Sequence, residues 1–529
     1  MTRSDLSRSD VQTDTPAAVP AGVSARSGRR VVVAGLMLGL GLVALDSTIV
    51  ATAVPSIVGQ LGGFSLFAWV FSAYLLAQTA SVPIYGRMSD LYGRKVILLL
   101  GVMVFTVGSA AAGAAWNMLA LIAFRGLQGL GAGAILSTAN TVAGDLFDLR
   151  ERGRVQGWLS SVWGISAVLG PTVGGLLSEY ATWRWIFYLN VPVASACLWV
   201  ISRHLHENVA RAQHRLDVLG SGLLAGGVGL VILGLMQGGV VWTWLSAPSL
   251  AVFAGGAVLL VGFGLQQRRG SEPTLPPWLF SDRRLFGANA ATLVFGVAVI
   301  GLTSYLPTYA QAVLGAGPVT AGLALAAMSI GWPLTSSLSP RLYLRIGFRD
   351  TACLGAALCV LASVLLSLLP ERVPLVAVAG CSMLMGGGLG LVSTPLIVGV
   401  QSLVGWNRRG VVTASNMSMR YLGQTVGAAL FAGIANSTLA ARLATAPAEV
   451  RSALPGSVDD ASQALGSGHR LPPAAADYLR NSLYLGAHHV FLALLSVALG
   501  LVAVLVIVTP RRFGSAPAGA DTGVDAPAP

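Results

Sequence analysis

Two residues of this chain are difficult to explain by packing. Asp46 is the only carboxylate deep within a long apolar run, and Arg125 is one of just two arginines so placed, the other being Arg420. A charged side chain at bilayer depth costs at least about 2.5 to 3.5 kcal/mol unless it is paired or protonated. Asp46 and Arg125 each lie about eight residues from the outer end of their runs, roughly 12 Å below the surface at 1.5 Å per residue. At matching depth they can share one aqueous cavity. Desolvation there favours the protonated carboxylate and a nearby guanidinium favours the ionised one, which suits Asp46 to load and release a proton. The competing reading is a static buried pair that pins two helices.

Arg420 has no acidic residue within an apolar run left to pair with. Helix carbonyls, water or an anionic group on a substrate can meet it. Around it Asn416, Gln424, Gln128 and Asn140 offer neutral polar contacts, and Trp69, Tyr74, Trp163, Tyr305, Tyr309 and Trp332 offer an aromatic lining. A third group sits in the short polar turn GRMSDLYGRK, where Gly86 and Gly93 permit close backbone approach and Asp90 can pair with Arg94. Asp145, at the end of a later apolar run, is a third member of that group; ordinary charge anchoring is the alternative.

Other patterns dissolve on inspection. GLGAGA at 129–134 imitates a dinucleotide fingerprint, but it lies inside an apolar run with no strand before it and reads as helix packing. No Gly-Lys-Ser or Gly-Lys-Thr occurs, so energy has to come from an ion gradient or a partner. His204, His206, Glu207 and His214 have no spacing that closes a four-ligand metal site. Cys197, Cys353, Cys359 and Cys381 fall inside apolar runs and read as core thiols. No nucleophile, base and oxyanion arrangement stands out, so neither catalysis nor a cofactor is expected.

The elements that position these residues follow from composition. Of 529 residues 54% are hydrophobic and 10% charged, against about a quarter charged in a soluble domain. The apolar residues fall in fourteen runs, most of about twenty residues, the length that crosses a bilayer's hydrocarbon core. A net charge of +12 invites a nucleic-acid reading, yet the basic residues sit in short clusters between apolar runs. Lys95 is the one lysine. With the N-terminus inside, cytoplasmic segments collect 25 of the 33 Lys and Arg, which sets both termini in the cytoplasm of a bacterial inner membrane. Residues 1–30 read as a disordered cytoplasmic tail and 510–529 as another.

The chain also repeats. LGPTVGGLL from Leu169 aligns with LGQTVGAAL from Leu422, and at nearly the same offset GRMSDLYGRK aligns with PRLYLRIGFR from Pro340. Gly93 then meets Gly347, whereas Leu344 replaces the aspartate and Phe348 the arginine. Duplicated halves follow: six-helix bundles over 31–202 and 286–509, with two further helices in the linker 203–285 and a long external loop at 436–484. Such repeats place a substrate site at their interface near the bilayer midplane.

GRMSDLYGRK resembles the signature loop of the major facilitator superfamily. LDSTIVATAVPSIV at 45–58, RGLQGLGAGAI at 125–135, GISAVLGPTVGG at 164–175 and WRWIFYLNVP at 183–192 resemble, in order, features of its fourteen-helix drug:proton antiporter branch. The resemblance implies an all-α integral membrane protein that exports drugs or other small amphipathic compounds in exchange for protons. It implies further that Asp90, Arg94 and Asp145 form a charge relay, and that Gly164, Gly170, Pro171, Gly174 and Gly175 form a helix that seals against leak. A monomer is expected. A proton symporter for a small metabolite and a non-transporting membrane sensor or scaffold are the rival readings.

Overall fold

Glycine and proline punctuate the apolar runs, and the helices start where polar side chains can cap them. The computed structural model describes residues 26–50, 57, 60–61, 68–207, 217–237, 242–243, 245–269, 275–316, 318–454 and 472–511. The expected disordered tails lie almost entirely outside these residues, as does His214. In the N-terminal half run α1 (Arg26–Ile49), α2 (Ala68–Tyr92), α3 (Arg94–Gly113), α4 (Met118–Leu146), α5 (Leu149–Tyr180) and α6 (Asn190–His204). Next come α7 (Val218–Gln237) and α8 (Ala247–Arg269). The C-terminal half holds α9 (Arg283–Ala312), α10 (Pro318–Ile346), α11 (Phe348–Ser367), α12 (Leu375–Ser402), α13 (Arg409–Ala444) and α14 (Pro473–Ile507).

Capping explains several starts. Asn117 accepts from the Ala120 amide ahead of α4, Asp148 accepts from Arg150 and Glu151 ahead of α5, and Asp282 accepts from Arg284 ahead of α9. Each supplies an acceptor to a first-turn N–H that has none within its own helix. The Arg284 guanidinium, bonded to the same carboxylate, holds Asp282 below the usual carboxylate range. Before α3 and α11 the preceding residue has no side chain to cap with; Gly93 and Gly347 turn the chain at φ 94° and 92°, a region that favours glycine. The matching turns occupy matching places in the two halves.

Packing repeats as well. Helix α2 lies on α4 as α10 lies on α12, α3 on α4 as α11 on α12, α1 on α5 as α9 on α13, and α1 on α6 as α9 on α14. Each half has its own apolar core, one around Leu36, Phe105 and Ile135, the other around Phe295, Leu389 and Phe491. The halves meet along two seams, α5 against α10 and α2 against α13, which are the same contact under the repeat. Helices α7 and α8 pair with each other, and α7 leans on α2 and α13, covering one seam from outside.

Among the described residues eleven helices are long and apolar enough to cross a membrane, and α7 is apolar over the shorter stretch Leu219–Leu235. Both ends of the loop expected at 436–484 are helical: α13 continues to Ala444 and α14 begins at Pro473, with a short helical turn at Ala448–Arg451, while 455–471 lie outside the described residues. The segment STLAARLA is polar enough to end a hydropathy run yet keeps helix-forming residues, so the helix outlasts the apolar signal.

Candidate functional site

One end of the bundle is tied shut across the α2–α13 seam. Asp90, at the end of α2, is buried, and its Oδ1 accepts from the Arg94 guanidinium at 2.9 Å and the Gly410 amide at 2.8 Å. Its Oδ2 accepts from the Val411 amide at 2.8 Å. Gly410 and Val411 belong to the first turn of α13, so a carboxylate of one half caps a helix of the other and meets the positive end of its dipole. Arg94 continues the chain of charges. Its Nε donates to Asp145 at 2.9 Å, its Nη2 to the Trp406 carbonyl at 2.6 Å, and its guanidinium lies 3.7 Å over the Trp406 ring. Asp145 in turn accepts from Arg409 at 2.6 Å. Asp90, Arg94, Asp145 and Arg409 thus alternate in sign across the seam, where the sequence had suggested only the first three.

Backbone contact makes this possible. A Cβ on Gly86 would sit 2.1 Å from the Ala414 Cβ, so only glycine lets α2 approach α13 this closely. Glu207, grouped by sequence with neighbouring histidines, accepts from the amides of Arg94 and Lys95 at 3.0 and 2.9 Å and so caps α3.

Asp46 and Arg125 meet inside the N-terminal half. Both are fully buried, with Arg125 Nη1 2.5 Å from Asp46 Oδ2. Among the described residues, protein groups meet both oxygens of the carboxylate. Gln128 donates to Asp46 Oδ1 at 2.8 Å and accepts from Arg125 at 2.8 Å, and Asn190 approaches the same Oδ1 at 3.3 Å while donating to Ser109 at 2.9 Å. Arg125 also donates to the Val70 carbonyl and lies 4.2 Å over the Tyr74 ring. Gln128, expected near the substrate, therefore belongs to the carboxylate. Asn190 and Ser109 were missed. The lone amide in WRWIFYLNVP was the available signal, since a buried amide needs partners.

Helix α5 joins both halves. A Cβ on Gly164 would lie 2.6 Å from the Ser329 Cβ of α10, and one on Gly170 would lie 2.1 Å from the Thr48 hydroxyl of α1. Thr48 donates to the Ser166 carbonyl at 3.0 Å. Gly174 is buried, and α5 runs through Pro171 and Gly175 as helix, their surroundings lying outside what the structure describes. Two further glycines, Gly153 and Gly157, press on Pro340 and Ser337 of α10.

Between the halves lies a cavity of about 30 Å³, lined by Asn140, Gln156 and Ser160 on one side and by Thr292, Asn416 and Arg420 on the other. Three of the anticipated residues, Asn140, Asn416 and Arg420, line it; Tyr305, which packs on Phe431, and Gln424 do not. That volume holds one or two water molecules, far below the roughly 300 Å³ that a drug-sized site requires. The halves are drawn together around this small polar centre. Arg420 stands between Phe295 and Trp332, at 5.5 and 5.2 Å, and among the described residues its Nε has no hydrogen-bond partner. Of the other aromatic candidates, Tyr309 packs on Phe491 and Trp163 is exposed.

Repeated six-helix halves, two symmetry-related seams and a polar centre between them define a membrane transporter, and residues 36–428 match the family model described as Major Facilitator Superfamily. The chain belongs to that superfamily. It is 31% identical over 487 residues to multidrug resistance protein 3 of Bacillus subtilis (strain 168), covering 91% of this chain and 95% of the relative. It is 32% identical over 412 residues to the multidrug transporter protein MdtP of the same organism, covering 78% and 76%. Its fold resembles the crystal structure of the human organic anion transporter MFSD10 (TETRAN), with a TM-score of 0.61 at 16% identity over 90% of this chain and 99% of that one.

Proposed function

We propose that the chain is a proton-coupled exporter of drugs or similar amphipathic compounds, working by alternating access as a monomer with fourteen spans and both termini in the cytoplasm. The observation that carries the coupling is the buried Asp46, whose charge is balanced by Arg125 and whose remaining oxygen is held by the amides of Gln128 and Asn190. A carboxylate so enclosed is stable while the pair is intact. Protonation of Asp46 frees Arg125 and unbalances the cluster, and this is the means by which a proton biases the two arrangements of the halves.

The Asp90, Arg94, Asp145 and Arg409 group is the conformational latch on the cytoplasmic side. It holds that side shut, and parting of the halves must break the bonds from Asp90 to Gly410 and Val411. The glycine face of α5 closes the other seam and prevents protons from leaking past. The printed names of the two Bacillus relatives support a drug cargo, and Arg420 adds one fixed positive charge to the cavity.

Proteoliposomes with an imposed proton gradient test this. Adding a transported dye or antibiotic should move protons in step with substrate, and a protonophore should abolish accumulation. Substrate movement that ignores the gradient would refute the coupling.

A further inference from the structure

A second cavity is much larger than the central one. It has a volume of about 590 Å³ and opens beside the α5–α10 seam, at the end of the molecule that carries the Asp90 group. Its lining includes Arg29, Arg30, Arg150, Arg154, Arg341 and Glu151, five basic side chains against one acidic. Among the described residues Arg30, Arg150, Arg154 and Arg341 make no ion pair with an acidic side chain. Four like charges gathered about one hollow repel one another, and a bound anion relieves that repulsion.

The rest of the lining says which anion. Val155, Trp158 and Leu338 give the cavity an apolar side, and above it an exposed apolar track continues along both helices. On α5 the track is Trp158, Ile165 and Leu169, and on α10 it is Leu338, Leu334 and Ile330. Spacings of four and seven residues keep each set on one helix face. A soluble phosphate has no use for such a track, whereas a phospholipid has acyl chains to lay along it. Arginine binds phosphate oxygens through paired N–H donors, and a basic hollow between helices at the membrane surface suits an anionic headgroup.

We infer that this hollow is a binding site for an anionic phospholipid, whose headgroup bridges Arg150 and Arg154 of the N-terminal half to Arg341 of the C-terminal half. Because Gly153 presses on Pro340 at the floor of the same seam, the bridge is intact only while the seam is closed. The lipid therefore favours the latched arrangement. The binding claim stands on the hollow alone; the conformational claim rests on the alternating-access reading.

The test uses the purified full chain in nanodiscs of phosphatidylcholine containing a small fraction of spin-labelled phosphatidylglycerol, and reads the motionally restricted lipid. Combining Arg150→Gln, Arg154→Gln and Arg341→Gln should weaken retention roughly fivefold for each arginine, about a hundredfold together. The same three positions changed to Lys should hold the lipid within about fivefold, because the charge remains. Equal retention by the Gln variant, or an equal loss in the Lys variant, would overturn the assignment. Inorganic phosphate in excess should displace little of the label; full displacement would make this a soluble-phosphate site and refute the lipid. A chain that binds the lipid but moves no drug would instead defeat the proposed function and leave the site standing.

Discussion

Asp90→Asn isolates the latch. The carboxylate makes two bonds across the seam, to Gly410 and Val411, each 2.8 Å long. The amide keeps one acceptor oxygen, so at least one of these is lost and an NH2 group is turned towards a backbone N–H. A hydrogen bond to a charged group is worth about 1.5 to 3 kcal/mol, which moves the balance from latched to unlatched by about 10- to 150-fold. Arg94 still donates to Asp145 and Trp406, so the fold of the N-terminal half is kept. Spin labels at Tyr92 and Arg345, exposed and on opposite halves, report the opening by pulsed dipolar spectroscopy once the native cysteines are replaced. The distance distribution should gain a long component, with transport reduced and substrate binding largely kept. Leu344, the counterpart of Asp90 in the repeat, is 48% exposed, and Leu344→Ala should change neither distance nor transport. An unchanged distribution in Asp90→Asn, or equal effects at both positions, would refute the latch.

Further outcomes follow from the same geometry. Asp46→Asn should abolish uphill transport in proton-loaded proteoliposomes while leaving binding of a neutral substrate, because an amide cannot cycle a proton. Arg125→Ala should cost about 3 to 5 kcal/mol of stability in a thermal or denaturant assay when Asp46 is ionised, since a buried charge loses its partner. Gly86→Ala should open the latch much as Asp90→Asn does, and adding Ala414→Gly should recover much of the loss by removing the opposing Cβ. Arg420→Gln should shift substrate preference away from acidic compounds in a dye-efflux panel; an unaltered profile would mean the guanidinium only packs between its two rings. A reporter fused after Pro529 should be active only in its cytoplasmic form.

What the sequence disclosed, it disclosed through scarcity and repetition. A lone deep carboxylate and a rare arginine in apolar runs pointed to each other because burial leaves an ion few choices, and the structure joins them. Glycines aligned at 93 and 347 foretold twin turns because both need the same positive φ. What stayed hidden depended on contacts with no periodic signature. Nothing in the spacing said that Asp90 would cap a helix more than 300 residues away, that Asn190 would complete the shell of Asp46, or that Gln128 would face it rather than the centre. Helix ends were obscured for another reason: beyond Ile434 the chain turns polar without ceasing to be helical.

The inserted pair α7 and α8 breaks an equivalence that the repeat would otherwise impose. Two seams related by symmetry would offer two lateral windows between the halves, but α7 shutters the one formed by α2 and α13. Among the described residues the inserted pair packs on the α2–α13 side. On the proposed export reading, a compound dissolved in the bilayer would enter by the α5–α10 side, the side that carries the arginine-lined hollow. On that reading traffic is one-sided, and crowding or labelling the outer face of α10 should obstruct lipid-borne cargo far more than the same change on α8.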